Sequence, residues 1–549
     1  MPKRKLLSQM SERHYRRLKR NALNIAIIES IDEQFINELS VDSNTSNVTA
    51  TNDHNFDQAI NVTTRKELSQ HHDNITDTYN ENTTYNLYCN SDFTLKQSNN
   101  TLKDSCPIAS ICKEKNNDFT NLSSIQLIKG ELINWAVQFQ ISQTAITALL
   151  QILRKYNFDS CLPKNCKTLL KTARCTSIRK IAPGEYFHNG LISGIMEFLR
   201  NDPDNVDTVK VQISIDGLPI SNSSTNQLWL ILGSIAPNFR TIFIIGCYFG
   251  PKKPDDCNDF LRDFVNEAKN VVTDGLDYGG KHICISIHSL IADAPAKSFV
   301  TATKGHTGYF SCAKYTTEGE YILHRMCFPN INCPKQTNDS FIKQSQKEHH
   351  IGQSILINIP NFGLISHIPL DYMHLVCIGV VKKMLNFLLS GPLNVRLPTQ
   401  VIHNISRLLI GMRTSIPIEF VRKPRELHFL SLWKATELRQ FLLYTGPIIL
   451  KKYINKDVYR NFLTLHVAIR LLCSPQLSFV SYAESLLEHF VRSFTILYGP
   501  QHISHNVHVL IHLVDDVRKF GTLDTFSAFR YENYLRKVKR FIRKAERPL

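Results

Sequence analysis

Residues 208–217 read TVKVQISIDG. Val209, Val211, Ile213 and Ile215 alternate with Lys210, Gln212 and Ser214, the period-two pattern of a strand with one face in a core. This strand ends at Asp216. A turn-rich loop, GLPISNSSTNQ (217–227), leads to LWLILGSI (228–235), a second strand. After the turn APN (236–238), TIFIIGCYFG (241–250) reads as a third. GPKKPDD (250–256) breaks the chain, and DCNDFLRDFVNEAKNVV (256–272) carries Phe260, Phe264, Val265, Ala268 and Val271 or Val272 at helical spacing. KHICISIHSLIAD (281–293) is a fourth strand that ends close to Asp293, and APAKSFVTATKG (294–305) starts the next helix with Asp293 near its N-terminus.

The order is strand, strand, strand, helix, strand, helix. It predicts an α/β, RNase H-like core: a mixed sheet with helices, whose first three strands form an antiparallel meander. The fourth strand returns by a helical crossover to lie parallel to the first. The C-terminal ends of strands one and four are then neighbours, which brings Asp216 and Asp293 together. Open α/β sheets place their sites at such strand ends.

Outward from this core, residues 205–375 read as its main part. The segment 376–503 reads as a mainly helical insertion, and 504–549 as the C-terminal part of the core, ending in the basic stretch FRYENYLRKVKRFIRKAERPL. Upstream, 123–204 reads as a helical region. ELINWAVQFQISQTAITALLQILRKY (131–156) suggests two helices with Ser142 as N-cap between them, either a helix-turn-helix or a plain helical pair. Residues 25–122, rich in Asn, Thr, Ser and Asp, lack the apolar content to fold alone and read as a mostly disordered linker. Residues 1–24 form a basic segment with Lys3, Arg4, Lys5, Arg13, Arg16, Arg17, Lys19 and Arg20, an import signal, a phosphate-binding arm or a solvated basic helix.

The chain has 549 residues, enough for two or three domains, and its net charge of +16 favours a polyanionic partner. No apolar run approaches the roughly 20 residues of a membrane span, and the first residues lack a signal peptide's apolar stretch. The expectation is therefore an intracellular protein without a membrane role. Fourteen cysteines at irregular spacing, with no CxxC pair, read as free thiols. Cys312 has His306, His324 and Cys327 near it in sequence, but the spacing does not match a closed tetrahedral site, and zinc is not expected.

Two hard divalent cations about 4 Å apart catalyse in-line displacement at phosphorus and demand oxygen ligands. Three acids from distant parts of the chain must then converge. Asp216 and Asp293 meet this through strand order. The third comes from Glu532 in RYENYL, or from Glu437, Glu484 or Glu488, and position alone does not separate them. In LDYMH (370–374), Asp371 and His374 share a helix face if the segment is helical. They either orient such a site or act as a cap and an interior histidine.

SIDGLPISNSS (214–224), YFGPKKPDDCNDFL (248–261), IADAPAKSFVTATKGHTGYFSC (291–312), FPN (328–330), HHIGQSIL (349–356), IPLDYMHLVCIGVVKKML (368–385) and WKATELRQFLLYTGPIIL (433–450) together resemble transposase-domain proteins of animal genomes. More remotely they resemble CACTA-type (En/Spm-like) transposases, with a DG strand end, a GPKSPGND-like segment, a DFPA motif, an LDVMH motif and a late FER-containing helix as counterparts. The resemblance covers about residues 125–549. It implies a nuclear DDE-type enzyme that cleaves and transfers DNA strands with Mg²⁺ or Mn²⁺ in a two-metal site. By position it implies Asp216, Asp293 and Glu532 as catalytic metal ligands, with Asp371 and His374 as the supporting D-x-x-H pair. DNA is the implied partner, met by Arg536, Lys537, Lys539, Arg540, Arg543 and Lys544, in a homo-oligomer and with no small-molecule substrate. Two departures from the family keep a domesticated or degenerate DNA-binding derivative as the alternative. Tyr315 stands where a second cysteine is usual, and the sequence stops at Leu549, where relatives continue, as in a truncated or inactive copy.

Overall fold

The computed structural model describes residues 118–139, 141–156, 162–172, 176–201, 206–221, 225–239 and 241–542. The basic segment 1–24, all but the last residues of the linker 25–122, and Arg543 and Lys544 lie outside the described residues. The fold is α/β. The described chain forms two compact units, one of residues 118–380 with 500–542, the other of residues 381–499.

The larger unit is built on a seven-stranded mixed sheet. Its strands are β1 (Ile178–Ile181), β2 (Gly184–His188), β3 (Thr208–Pro219), β4 (Gln227–Ile235), β5 (Ile242–Gly250), β6 (Leu276–Tyr278) and β7 (Lys281–Ile291), in the spatial order β1-β2-β5-β4-β3-β7-β6. β3, β4 and β5 pair antiparallel in sequence order, and β7 lies parallel to β3. The helices of this unit used below are α1 (Asp118–Gln138), α2 (Gln143–Lys155), α3 (Leu191–Asn201), α4 (Cys257–Asp274), α5 (Ala294–Val300), α6 (Leu513–Phe520) and α7 (Phe529–Phe541).

α4 is the crossover that makes the parallel pairing possible. Asp256 caps it by accepting the Asn258 and Asp259 backbone N–H groups, and Gly275 at φ 67° ends it. Its face of Phe260, Phe264, Val265, Ala268 and Val271 packs into one core with Val209, Val211, Ile213 and Ile215 of β3. Each such large side chain contributes about 1.5–3 kcal/mol by leaving water.

The other face of β3 is not solvated as its alternation suggests: Gln212 and Ser214 are buried too. Tyr531 of α7 meets Gln212 there. Its hydroxyl shares a hydrogen bond with Ser234 Oγ at 2.7 Å and donates to Gln212 Oε1 at 2.9 Å, while Gln212 Nε2 donates to Ser289 Oγ at 3.0 Å. Gln212 is tolerated there because its amide finds partners at both ends.

A bulge sets the phase of the site. Val211 pairs with Ile287, but Gln212 pairs with Ser289, so His288 is an extra residue on β7. Without it every later side chain of β7 would point to the opposite face. The last pair is Ser214 with Ile291, and two residues further on both chains stand Asp216 and Asp293.

Three features differ from the sequence reading. The region 123–204 is not wholly helical, because β1 and β2 form a hairpin that extends the sheet edge beyond β5. β3 continues past Asp216 to Pro219. Residues 118–122, assigned to the linker, open α1. α1 and α2 share a small separate core of Ala136, Ile146, Leu150, Leu162, Cys166 and Leu169, and Ser142 caps α2 by accepting the Ala145 N–H at 3.2 Å.

The unit of residues 381–499 contains helices and no strand among the described residues. Helices Lys456–Leu472 and Val480–Tyr498 pack as an antiparallel pair. Asn461 Nδ2 bridges them, donating to Phe490 O at 3.1 Å and Ser493 Oγ at 2.7 Å. Among the described residues one helical stretch, Met373–Ser390, is long and apolar enough to cross a membrane, and more than half of it is buried within the fold.

Candidate active site

Five side chains from four separate segments meet near the C-terminal ends of β3 and β7. Asp216 lies on β3, and its Oδ1 accepts the Gly217 N–H at 2.7 Å. A Cβ at Gly217 would come within 2.9 Å of the Trp229 ring, so glycine is needed beside the acid. Asp293 is the N-cap of α5, with Oδ1 accepting the Ala296 N–H at 2.7 Å.

Asp371 is buried and caps the widened, π-helical segment Met373–Val381, accepting the His374 N–H at 2.9 Å. Helices of this kind are rare and concentrate at functional sites. The Asp371 carboxylate also receives His374 Nδ1 at 2.7 Å and the Ala528 backbone N–H at 2.7 Å. The last contact fixes the start of α7, which carries Glu532. His374 Nε2 then stands 3.9 Å from Glu532 Oε1.

The electrostatics tie the acids together. Asp216 is pushed up from 3.8 to about 8, by burial first and then by the negative charges of Asp293 and Glu532, with His374 opposing. Burial alone would lower the His374 pKa, but the Asp371 hydrogen bond and the charges of Asp371, Asp293 and Asp216 raise it from 6.5 to about 9. Carboxylates that repel in this way release the strain by taking up a proton or a cation. Oxygen donors of this number and charge fit a hard divalent cation.

Of the four acids weighed as the third ligand, Glu532 is the one that interacts with Asp216. Glu437, Glu484 and Glu488 lie in the unit of residues 381–499. Glu437 is buried and engaged at both oxygens by Arg425, at 2.6 Å each, and also accepts the Lys434 N–H.

The basic side chains of α7 divide. Arg536, Lys537 and Arg540 are exposed, whereas Lys539 donates to Pro219 O at 2.7 Å and ties α7 to the end of β3.

A second group carries no spacing signal in the sequence. Cys312 does not assemble with His306, His324 and Cys327. It lies with His508 and His512, and the Cys312 Sγ, His508 and His512 nitrogens are within 4.8 Å of one another. All three residues are buried. Neither ring nitrogen of His508 has a hydrogen-bond partner, nor does His512 Nδ1. Burial holds His508 down at about 4, with the nearby Phe328 backbone opposing, and His512 well below its ordinary value. Two neutral imidazoles and a thiol are the donor set of a metal site, and this group could hold an ion. Tyr315 lies against it, its ring 4.2 Å from that of His512. Zinc, not expected from sequence, is therefore compatible with these donors. The donors come from segments about 200 residues apart, so no local motif announces them.

In comparisons with known proteins, the sequence matches no family model and no curated protein.

Proposed function

We propose that this chain is a DDE-type, metal-dependent nucleotidyltransferase of the transposase kind, built on an RNase H-like core and acting on DNA in the nucleus. The observation that carries this reading is the convergence of Asp216, Asp293 and Glu532. Asp216 and Asp293 leave adjacent parallel strands in register, and Glu532 is brought to them from a late helix. The meander β3-β4-β5, the α4 crossover and the parallel β7 support the RNase H-like assignment.

In this reading Asp216, Asp293 and Glu532 hold Mg²⁺ or Mn²⁺, which would polarise a scissile phosphate and activate the attacking oxygen. The chain's own residues do the positioning. Asp371 holds the His374 ring through Nδ1, leaving Nε2 directed at the acid cluster, where a protonated imidazole can neutralise a phosphate oxygen or hold Glu532 in place. Asp371 also anchors α7, so one buried carboxylate sets both the imidazole and the third acid. Arg536, Lys537 and Arg540 offer a cationic face to the DNA backbone.

Cys312, His508 and His512 supply a separate, structural metal group in the same reading. Tyr315 in place of a fourth donor favours a second reading, a transposase-derived protein that binds DNA without cutting it.

The test is cleavage of duplex DNA by the full chain with Mg²⁺ or Mn²⁺, beside Asp216→Asn, Asp293→Asn and Glu532→Gln. Metal-dependent nicking that each variant loses supports the proposal. Steeply salt-dependent DNA binding without nicking selects the second reading. Nicking that survives all three substitutions overturns the assignment of the acids.

A further inference from the structure

A cavity of about 260 Å³ opens beside the acid cluster, with Asp293, Asp371 and His374 in its wall. Three lysines line it as well: Lys297, Lys304 and Lys314. Lys314 is matched internally, donating to Asp516 Oδ1 at 2.8 Å and Ile365 O at 3.0 Å. Lys297 and Lys304 form no ion pair among the described residues. The one side-chain hydrogen bond of Lys297 is a long one, 3.5 Å, to Ile368 O. Asp371 is offset by His374. The cavity therefore carries two amino groups without an ion-pair partner among the described residues: Lys304, which is exposed, and Lys297, which burial and the neighbouring Lys314 hold down at about 7 until an anion arrives. The remaining wall is mixed, apolar at Pro295, Leu370, Leu375 and Val509 and polar at Ser298, Thr303 and Asn506, among others.

This combination specifies an occupant. Paired amino groups select an anion, whose charge favours their protonated form, and the apolar part of the wall selects a flat or aliphatic body attached to it. The volume lies just under the roughly 300–1,000 Å³ of pockets that enclose drug-sized ligands, so the occupant is about one nucleotide in size. A duplex cannot enter, and a phosphate alone would leave Pro295, Leu370, Leu375 and Val509 uncovered. Lys297 follows Asp293 by one turn of α5, its N–H donating to Asp293 O at 2.8 Å. An anion held there therefore adjoins whatever the acids address.

We infer that this cavity is a single-nucleotide subsite. Lys297 and Lys304 receive the phosphate, and the apolar part of the wall receives a nucleoside turned out of its stack. The inference rests on the reading of the acid cluster as a strand-cleaving site, and adds that the flanking nucleotide is extruded.

The test is calorimetric titration of the full chain in EDTA with 2′-deoxyadenosine 5′-monophosphate, inorganic phosphate and 2′-deoxyadenosine. The monophosphate should bind at least about tenfold more tightly than either fragment. Lys297→Met and Lys304→Gln should each weaken it by about tenfold, and Lys347→Gln, on an exposed turn elsewhere, should not. Thermal melting of Lys297→Met checks that it folds, and Lys304 is exposed, so its variant tests the site without a core change. Absence of monophosphate binding, equal binding by phosphate, or binding unchanged in both lysine variants would overturn the inference. Asp216→Asn separates the two proposals: it removes strand cleavage but leaves monophosphate binding intact.

Discussion

The Asp371 carboxylate accepts the backbone N–H of Ala528 at 2.7 Å, joining positions 157 residues apart in sequence. The same carboxylate holds His374. It thus couples the D-x-x-H segment to the helix that carries Glu532, and its loss should be felt at both.

Asp371→Asn should lower the His374 pKa from about 9, because the charge that most opposes burial is lost. Proton NMR titration of the His374 ring reads this directly. Asp371→Ala, which also strands the imidazole and the Ala528 N–H, should cost roughly 3–5 kcal/mol in urea unfolding.

In metal-free protein the acid cluster should make stability fall as pH rises. Asp216 is raised from 3.8 to about 8, so its contribution is full below pH 3.8 and lost as pH climbs through 8. His374 is raised from 6.5 to about 9, so its contribution is full below 6.5 and lost through 9. Urea midpoints measured in EDTA should decline over this window, and Asp216→Asn should flatten the lower part. An identical pH profile in wild type and variant contradicts the coupling.

Tyr531→Phe removes the hydroxyl that serves Ser234 and Gln212 beneath the sheet. The expected cost is about 1–3 kcal/mol, since buried partners lose their bond. Denaturant unfolding measures it. Because Tyr531 adjoins Glu532 in sequence, the proposed function predicts that strand cleavage falls as well, without a change in DNA affinity.

Much of this site is legible in the sequence. The period-two runs at 208–217 and 281–293 and the apolar face from Phe260 to Val271 are strong signals, and strand order alone brings Asp216 to Asp293. The third acid is not legible from position: Glu532 and Glu437 both sit in helical patterns, and they differ by the Arg425 pair that engages Glu437. Gln212 and Ser214 read as a solvent face because no local pattern tells that both will be buried, Gln212 against Tyr531. The strands IRKI and GEYFH are too short for periodicity to distinguish from loop. Cys312, His508 and His512 were invisible because their grouping is set by tertiary contact.

That last group makes its own prediction. Co²⁺ added to the full chain should give a thiolate charge-transfer band that Cys312→Ser abolishes and His508→Ala weakens. Metal at a hundredfold excess over its Kd should stabilise the fold by about 2.7 kcal/mol, and a chelator should reverse the gain in melting temperature. A spectrum unchanged by Cys312→Ser would remove this group from consideration.

The most direct measurement is calorimetric titration of Mn²⁺ into the full chain beside the Asp216→Ala, Asp293→Ala double variant, with Cys312→Ser in both to silence the second group. Three converging carboxylates predict Mn²⁺ binding in the parent that disappears in the double variant. Equal binding in both, or none in the parent with or without duplex DNA, would contradict a metal site at the ends of β3 and β7.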